Sequence, residues 1–218
     1  MSEVANRAYK EIKSRIRNGI LTPGERLVER SLCAKLDMSR TPVREALRLL
    51  TAEGWVTSRP RRGMVVATLS KEEIEEIFEF GMVLEAFIAS LAARKADRAG
   101  LEELKNIIKT MASILDSSQP DRAAYIELDS RFHHTIAAMA GNKRLANMLQ
   151  TLMDTRVLYQ AFSRYRPQDL QQSLQQHGTI LSALESGDAE WASSAMRAHI
   201  LSGRAASHHQ PQRISDQA

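Results

Sequence analysis

The sequence predicts a mainly α-helical chain in two parts. Three short helices and a β-hairpin occupy residues 1–69, and an all-α antiparallel helical bundle occupies 70–206. Three observations lead there. Helical apolar spacings in the first third are followed by two short β-branched runs around a basic turn. From Ser70 onward the helical spacing recurs between short breaks, with no convincing strand. The charge divides at the same place: residues 1–69 hold 14 Lys and Arg against 7 Asp and Glu, whereas residues 70–218 hold 16 against 19.

The elements follow in order. Residues 5–20 read as an amphipathic helix with Ala8, Ile12 and Ile16 on one face, ended by Thr22-Pro23-Gly24. A second helix, about 29–36, carries Leu32 and Leu36, and Asp37-Met38 leads tightly into a third. In the third, Val43, Ala46, Leu47 and Leu50 fall at i, i+3, i+4 and i+7, an apolar stripe. Arg40, Arg44 and Arg48 fall four apart and stack along another face. Ser39 and Thr41 are both candidate N-caps, and Pro42 sits in the first turn, where its missing N–H costs little. Trp55-Val56-Thr57-Ser58 and Met64-Val65-Val66-Ala67 then flank Arg59-Pro60-Arg61-Arg62-Gly63 as a hairpin. Two short helices across a tight turn, followed by a basic hairpin, make a winged helix-turn-helix.

This arrangement points to nucleic acid. A helix anchored on one side and offering three guanidinium groups on the other suits a DNA major groove, where arginine pairs bidentately with guanine or holds phosphates. The hairpin tip would reach the backbone or minor groove, with Gly63 allowing close approach. A basic first third joined to a mildly acidic remainder fits the same reading.

Within 70–206, Ser70 and Glu73 form a capping-box pattern. Helices are expected near 71–97, 100–117, 121–140, 143–164, 168–186 and 188–206, with breaks at Gly100, Ser118-Gln119-Pro120, Gly141-Asn142, Pro167 and Gly187-Asp188. Short loops imply an antiparallel bundle. Residues 207–218 read as a disordered polar tail in which His208 and His209 are not ligands. The single cysteine, Cys33, excludes an internal disulfide and reads as a core filler. No apolar run approaches the ~20 residues that span a bilayer, and no signal-peptide segment opens the chain, so a soluble cytoplasmic protein without a membrane partner is expected.

The bundle also carries metal chemistry. Asp129 and His133 are i and i+4 on one helix; His177 and His199 lie on the last two. A carboxylate and three imidazoles from three helices would hold a divalent transition metal ion (zinc first, with nickel, manganese and iron as alternatives) and leave coordination positions open. His134 points about 100° away from His133 around the helix and is left out.

The spacing Gly19-x-Leu21-x-Pro23-Gly24-x-x-Leu27, then Glu29, Leu32, Leu36, Ser39-Arg40-Thr41-Pro42-Val43-Arg44-Glu45-Ala46-Leu47, Leu50, Gly54, Gly63 and Val66, resembles the DNA-binding domain of the GntR family of bacterial transcriptional regulators. Leu84-Glu85, Asp129-x-x-Phe132-His133 with Ala140-Gly141-Asn142, and His177-x-x-Ile180-Leu181 through Gly187-Asp188 to His199-Ile200 resemble the ligand-binding FCD domain of its FadR subfamily. Six bundle helices resemble the VanR-like group within it. The resemblance implies DNA contacts from Arg30, Arg40, Thr41, Arg44 and Gly63; Arg48 is added from its helical spacing. It implies Asp129, His133, His177 and His199 as metal ligands. Many relatives carry an effector-binding arginine four residues before the first-helix glutamate; here that position is Gly81, and Arg156 is the candidate replacement.

The function so implied is a homodimeric transcriptional regulator, a repressor by the family's usual sign. It would bind a palindromic double-stranded operator and be controlled by a small metabolite, an organic carboxylate, at the metal site. Effector binding would act on the DNA-binding domain through the linker near residues 66–71. Three alternatives stand beside it: a metal-dependent hydrolytic or lyase-type enzyme using the Asp/His3 site, an architectural DNA binder whose bundle only dimerises, and a purely structural metal.

Overall fold

The computed structural model describes residues 2–153, 162 and 164–209. They divide into two compact units, one ending at Leu69 and one beginning at Ser70.

The first unit contains α1 (Glu3–Arg17), α2 (Glu29–Leu36), α3 (Arg40–Ala52) and an antiparallel pair, β1 (Val56–Arg59) and β2 (Gly63–Val66). Its core is the apolar stripe of α3 (Val43, Ala46, Leu47 and Leu50) against Ala8, Ile12 and Ile16 of α1 and Leu32 of α2. α1 starts two residues earlier than the periodicity predicts because the Ser2 hydroxyl accepts the Ala5 N–H. α3 starts at Arg40, so Ser39 occupies the N-cap position and Thr41 does not; the Ser39 side chain makes no capping bond. Residues 24–27 run beside β2: Gly24 and Leu27 donate to the carbonyls of Val66 and Met64, and Val66 donates to Glu25. The Tyr9 hydroxyl and Lys13 ammonium both donate to the Glu53 carboxylate, and Lys13 lies over the Trp55 ring, which ties α1 to the end of α3 and the start of the hairpin.

The second unit contains α4 (Lys71–Ala93), α5 (Arg98–Leu115), α6 (Arg122–Met139), α7 (Lys143–Leu152), α8 (Pro167–Ser186) and α9 (Ala189–Ser207). α4 packs along α9, α5 packs on α6 and α8, and α6 also packs on α4 and α7. The capping box at Ser70 and Glu73 forms as expected. Three boundaries differ. α4 stops at Ala93 rather than 97 because Asp97 caps the next helix, accepting from the Gly100 N–H. Gly100 is therefore inside α5 and is not a break; a Cβ there would come 2.5 Å from the Met139 sulfur, so its bareness serves the α5–α6 contact. α7 ends at Leu152, not at 164, with no glycine or proline nearby to mark the end.

The expected disordered tail begins too early: Ser207 ends α9, His208 Nε2 lies 2.7 Å from Glu75, and His209 faces Asp169. The rest of that tail lies outside the described residues. No helix among the described residues is long and apolar enough to cross a membrane.

Candidate metal centre and nucleic-acid interface

The candidate metal centre is built on α6, whose buried positions (Tyr125, Ile126, Asp129, Phe132, His133, Ile136 and Ala137) repeat at helical spacing. The stripe is apolar except where Tyr125, Asp129 and His133 interrupt it. The stripe buries Asp129 and His133 one turn apart, facing His177 of α8 and His199 of α9. One donor atom from each of the four lies within 4.8 Å of the others. His199 Nε2 is 3.3 Å from His133 Nε2, and His177 Nε2 is 3.4 Å from Asp129 Oδ1. The structure thus brings together all four residues read from the sequence. His134 turns away, its Nδ1 against the Ser130 carbonyl at 2.7 Å.

The surroundings assign the donor atoms. His133 Nδ1 contacts the buried carboxylate of Glu85 on α4, which leaves Nε2 facing the centre. His199 Nδ1 lies 3.3 Å from the Gln176 side-chain oxygen, so Nδ1–H donates outward and Nε2 faces the centre. A carboxylate or amide holding the outer ring nitrogen is the usual support for a metal-bound imidazole. The His177 ring lies against Phe132, centroids 4.3 Å apart, and neither of its nitrogens has a hydrogen-bond partner, nor does Asp129 Oδ1. Buried polar atoms without partners are costly. A cation bound among these four donors would satisfy them, so the residues fit a divalent metal.

The electrostatics agree. Burial, reinforced by His133, pushes His199 down to about 3; burial with both neighbouring imidazoles holds His177 well below the ordinary range. Both rings are therefore neutral at physiological pH, and each can offer a nitrogen lone pair to a cation. Burial disfavours the charged His133, but the Glu85 carboxylate outweighs it and raises that ring to about 9. Burial lifts Asp129 to about 6 despite the attraction of His133.

Glu85 belongs to the candidate centre by its contact with His133, and sequence spacing alone does not single it out. A glutamate between Leu84 and Ala86 in a buried stretch was its signal, since such a carboxylate needs a partner. Gly81, one turn earlier, is buried; a Cβ there would lie 3.5 Å from Glu85 Oε1 and 3.3 Å from Leu152. No lysine or arginine among the described residues is buried at the centre. Arg156, the candidate replacement for the missing arginine, lies outside the described residues.

In the first unit, α3 buries Pro42, Val43, Ala46, Leu47 and Leu50 and exposes Arg40, Thr41, Arg44 and Arg48. Arg30 is exposed near the start of α2, and Gly63 is exposed at the start of β2 with φ +71° and open space where a Cβ would stand. Thr41, Arg44 and Arg48 line one cleft with Glu29, Glu45 and Met64. At the hairpin, Arg59 pairs with Gly63 across the turn and its side chain donates to Thr68 at 2.9 Å, while Arg61 and Arg62 lie in the turn itself.

Comparison with known proteins supplies the family. Residues 4–66 match the model of the bacterial regulatory proteins of the gntR family, and residues 76–202 match the FCD domain. An uncharacterized HTH-type transcriptional regulator from the TAR-I ttuE-ttuC' intergenic region of Agrobacterium vitis is 35% identical over 138 residues, 61% of this chain and 78% of that protein. The HTH-type transcriptional repressor RspR of Escherichia coli is 27% identical over 199 residues, 90% of this chain and 86% of that protein. The solved structure of E. coli McbR/YncC superposes with a TM-score of 0.63 at 23% identity, covering 92% of this chain and 95% of that one, which supports the fold. These matches are to regulators and not to enzymes, which removes the metalloenzyme alternative. The chain belongs to the gntR family of bacterial regulatory proteins, in the FadR-like subfamily that joins a helix-turn-helix to an FCD domain, and it is a transcriptional regulator.

Proposed function

We propose that this regulator is a repressor whose operator affinity is set by a small organic acid bound at a metal ion in the 70–206 domain. The observation that carries the reading is the convergence of four buried donors, two of which, Asp129 Oδ1 and His177 Nε2, have no hydrogen-bond partner. Asp129, His133, His177 and His199 would hold the ion, zinc first and nickel, manganese or iron as alternatives. Bound there, the ion supplies open coordination positions for an oxygen ligand. Glu85 and Gln176 keep two of the imidazoles turned inward, and Phe132 fixes the third. With Gly81 in place of an arginine, the effector's charge is met at the metal centre itself or by Arg156. The 1–69 domain binds the operator through Arg30, Arg40, Thr41, Arg44, Arg48 and Gly63. The repressor sign is supported by relatives such as RspR, whose name states it; a cytoplasmic location goes with operator binding.

Metal analysis of the purified, untagged chain tests this reading. About one ion per chain, lost in both Asp129→Ala and His199→Ala, is expected. No metal, or metal unaffected by either change, would overturn the site.

Proton release gives a second check. Below pH 9 the metal-free His133 carries an extra proton that must leave before Nε2 can donate, and below about pH 6 Asp129 must also ionise. Metal affinity should therefore rise with pH by about tenfold per unit between 6 and 9, and more steeply below 6. Calorimetry in buffers of different ionisation enthalpy should find about one proton released per ion at pH 7.5; no release would contradict the His133 assignment.

The homodimer has a candidate face on α4. Phe80, Val83 and Phe87 recur at i, i+3 and i+7 and are 44%, 64% and 53% exposed, an apolar stripe left uncovered among the described residues. A second copy burying this stripe would present two recognition helices to the half-sites of a palindrome. Phe87→Glu should shift the chain from dimer to monomer in light scattering; an unchanged mass would move the interface elsewhere.

A further inference from the structure

Two carboxylates, Glu29 and Glu45, stand where a DNA-binding surface should avoid them, and among the described residues it is Glu29 that pairs with an arginine of α3. Glu29 is the first residue of α2, and its Oε2 accepts a hydrogen bond from Arg44 Nε at 2.8 Å. The pair spans the two helices of the helix-turn-helix, 15 residues apart in sequence. Both side chains are solvent-accessible, Arg44 at 62% and Glu29 at 36%, so the pair contributes little to stability. It lines the cleft shared with Thr41, Glu45, Arg48 and Met64. Among the described residues, no carboxylate pairs with Arg40 or Arg48, one turn to either side of Arg44. A negative charge here repels DNA phosphates, so its gain must lie in what it does to Arg44.

We propose that Glu29 is a positioning residue for DNA reading: it grips Arg44 by Nε and fixes the guanidinium plane so that Nη1 and Nη2 form an end-on fork for one base. The chemistry follows from the donor inventory. Arginine has five N–H donors in a rigid plane, and one is taken by Glu29. The remaining terminal pair matches O6 and N7 of a guanine in the major groove. A freely rotating arginine would settle on a phosphate, which needs no particular plane. Glu29 thus exchanges non-specific attraction for discrimination. The inference rests on the reading of Arg44 as a DNA contact.

The two effects of Glu29 have opposite signs, which makes the test decisive. The probe is the duplex that the full-length wild-type protein selects from a randomised pool, compared with a scrambled duplex of equal length. Glu29→Ala should raise affinity for the scrambled duplex, because a negative charge is gone. It should lower the ratio of specific to scrambled affinity by about tenfold. In a panel of single base-pair changes, it should abolish the penalty at one guanine per half-site, the same one that Arg44→Ala relaxes. Glu29→Gln keeps an acceptor for Nε and should keep most of the ratio. Adding Glu29→Ala to Arg44→Ala should lower the ratio no further. Parallel gains on both duplexes with the ratio intact would overturn the proposal, leaving Glu29 a merely repulsive charge. A changed preference at a base pair indifferent to Arg44 would overturn it too, because Glu29 would then touch a base itself. An intact ratio in Arg44→Ala would instead sink the DNA-contact reading on which the inference stands.

Discussion

Arg44→Ala should weaken binding to the selected operator by about 1–3 kcal/mol while leaving affinity for scrambled DNA within a few-fold. The side chain is exposed at the centre of α3 and its removal leaves no cavity, because the helix is anchored by Val43, Ala46, Leu47 and Leu50. The loss should therefore appear without a drop in melting temperature. Arg48→Ala, one turn further along, should act through the phosphates: a nearly uniform loss across sequences and a salt slope reduced by about one. Fluorescence anisotropy over a salt series separates the two. Undiminished discrimination in Arg44→Ala would show that α3 is not the reading helix.

The second large effect concerns stability and changes sign with the metal. In the metal-free protein His177 is a fully buried imidazole with no hydrogen-bond partner at either nitrogen. Such a group costs about 1–3 kcal/mol. His177→Leu removes the cost and fills similar space beside Phe132, so under chelation the variant should melt at or above the wild-type temperature. With zinc the order should reverse. An ion present at about a thousand times its Kd adds about 4 kcal/mol to the wild type, which for a chain of this size is roughly 10 °C, and the variant should gain little. A zinc-independent ranking in calorimetry would mean that His177 is an ordinary core residue. Asp129→Asn should behave differently under chelation, because it retains polarity in the same buried position.

How much of this was legible in the sequence depends on what each residue's neighbours are. Helical periodicity located α2, α3 and the hairpin closely, because their apolar positions face one core within the same 69 residues. Local capping chemistry set the ends that periodicity missed: Ser2 starts α1 early, and Asp97 ends the run that the spacing extends to 97. Gly100 misled as a break because its reason is tertiary, the sulfur of Met139 on the neighbouring helix. The Asp129–His133 pair is legible from a four-residue spacing; His177 and His199 join it as imidazoles on two other helices of one bundle, a grouping that the resemblance to a family strengthens. Glu85 and Gln176 act through contacts 48 and 23 residues away in sequence, and no spacing rule links them to the imidazoles they hold. The Glu29–Arg44 pair is of the same kind: each residue is prominent in its own motif, and only the fold places them together.

In the proposed mechanism, occupancy of the bundle site governs operator affinity. It is tested most directly by titrating the selected operator duplex with zinc-loaded full-length protein across a panel of small mono- and dicarboxylates, with His177→Leu alongside. At least one acid should weaken wild-type binding by about tenfold or more, a coupling within the usual allosteric range, and leave the variant unmoved. Operator affinity that is the same for loaded, stripped and mutated protein, whatever acid is present, would contradict it and leave the bundle only a dimerisation device.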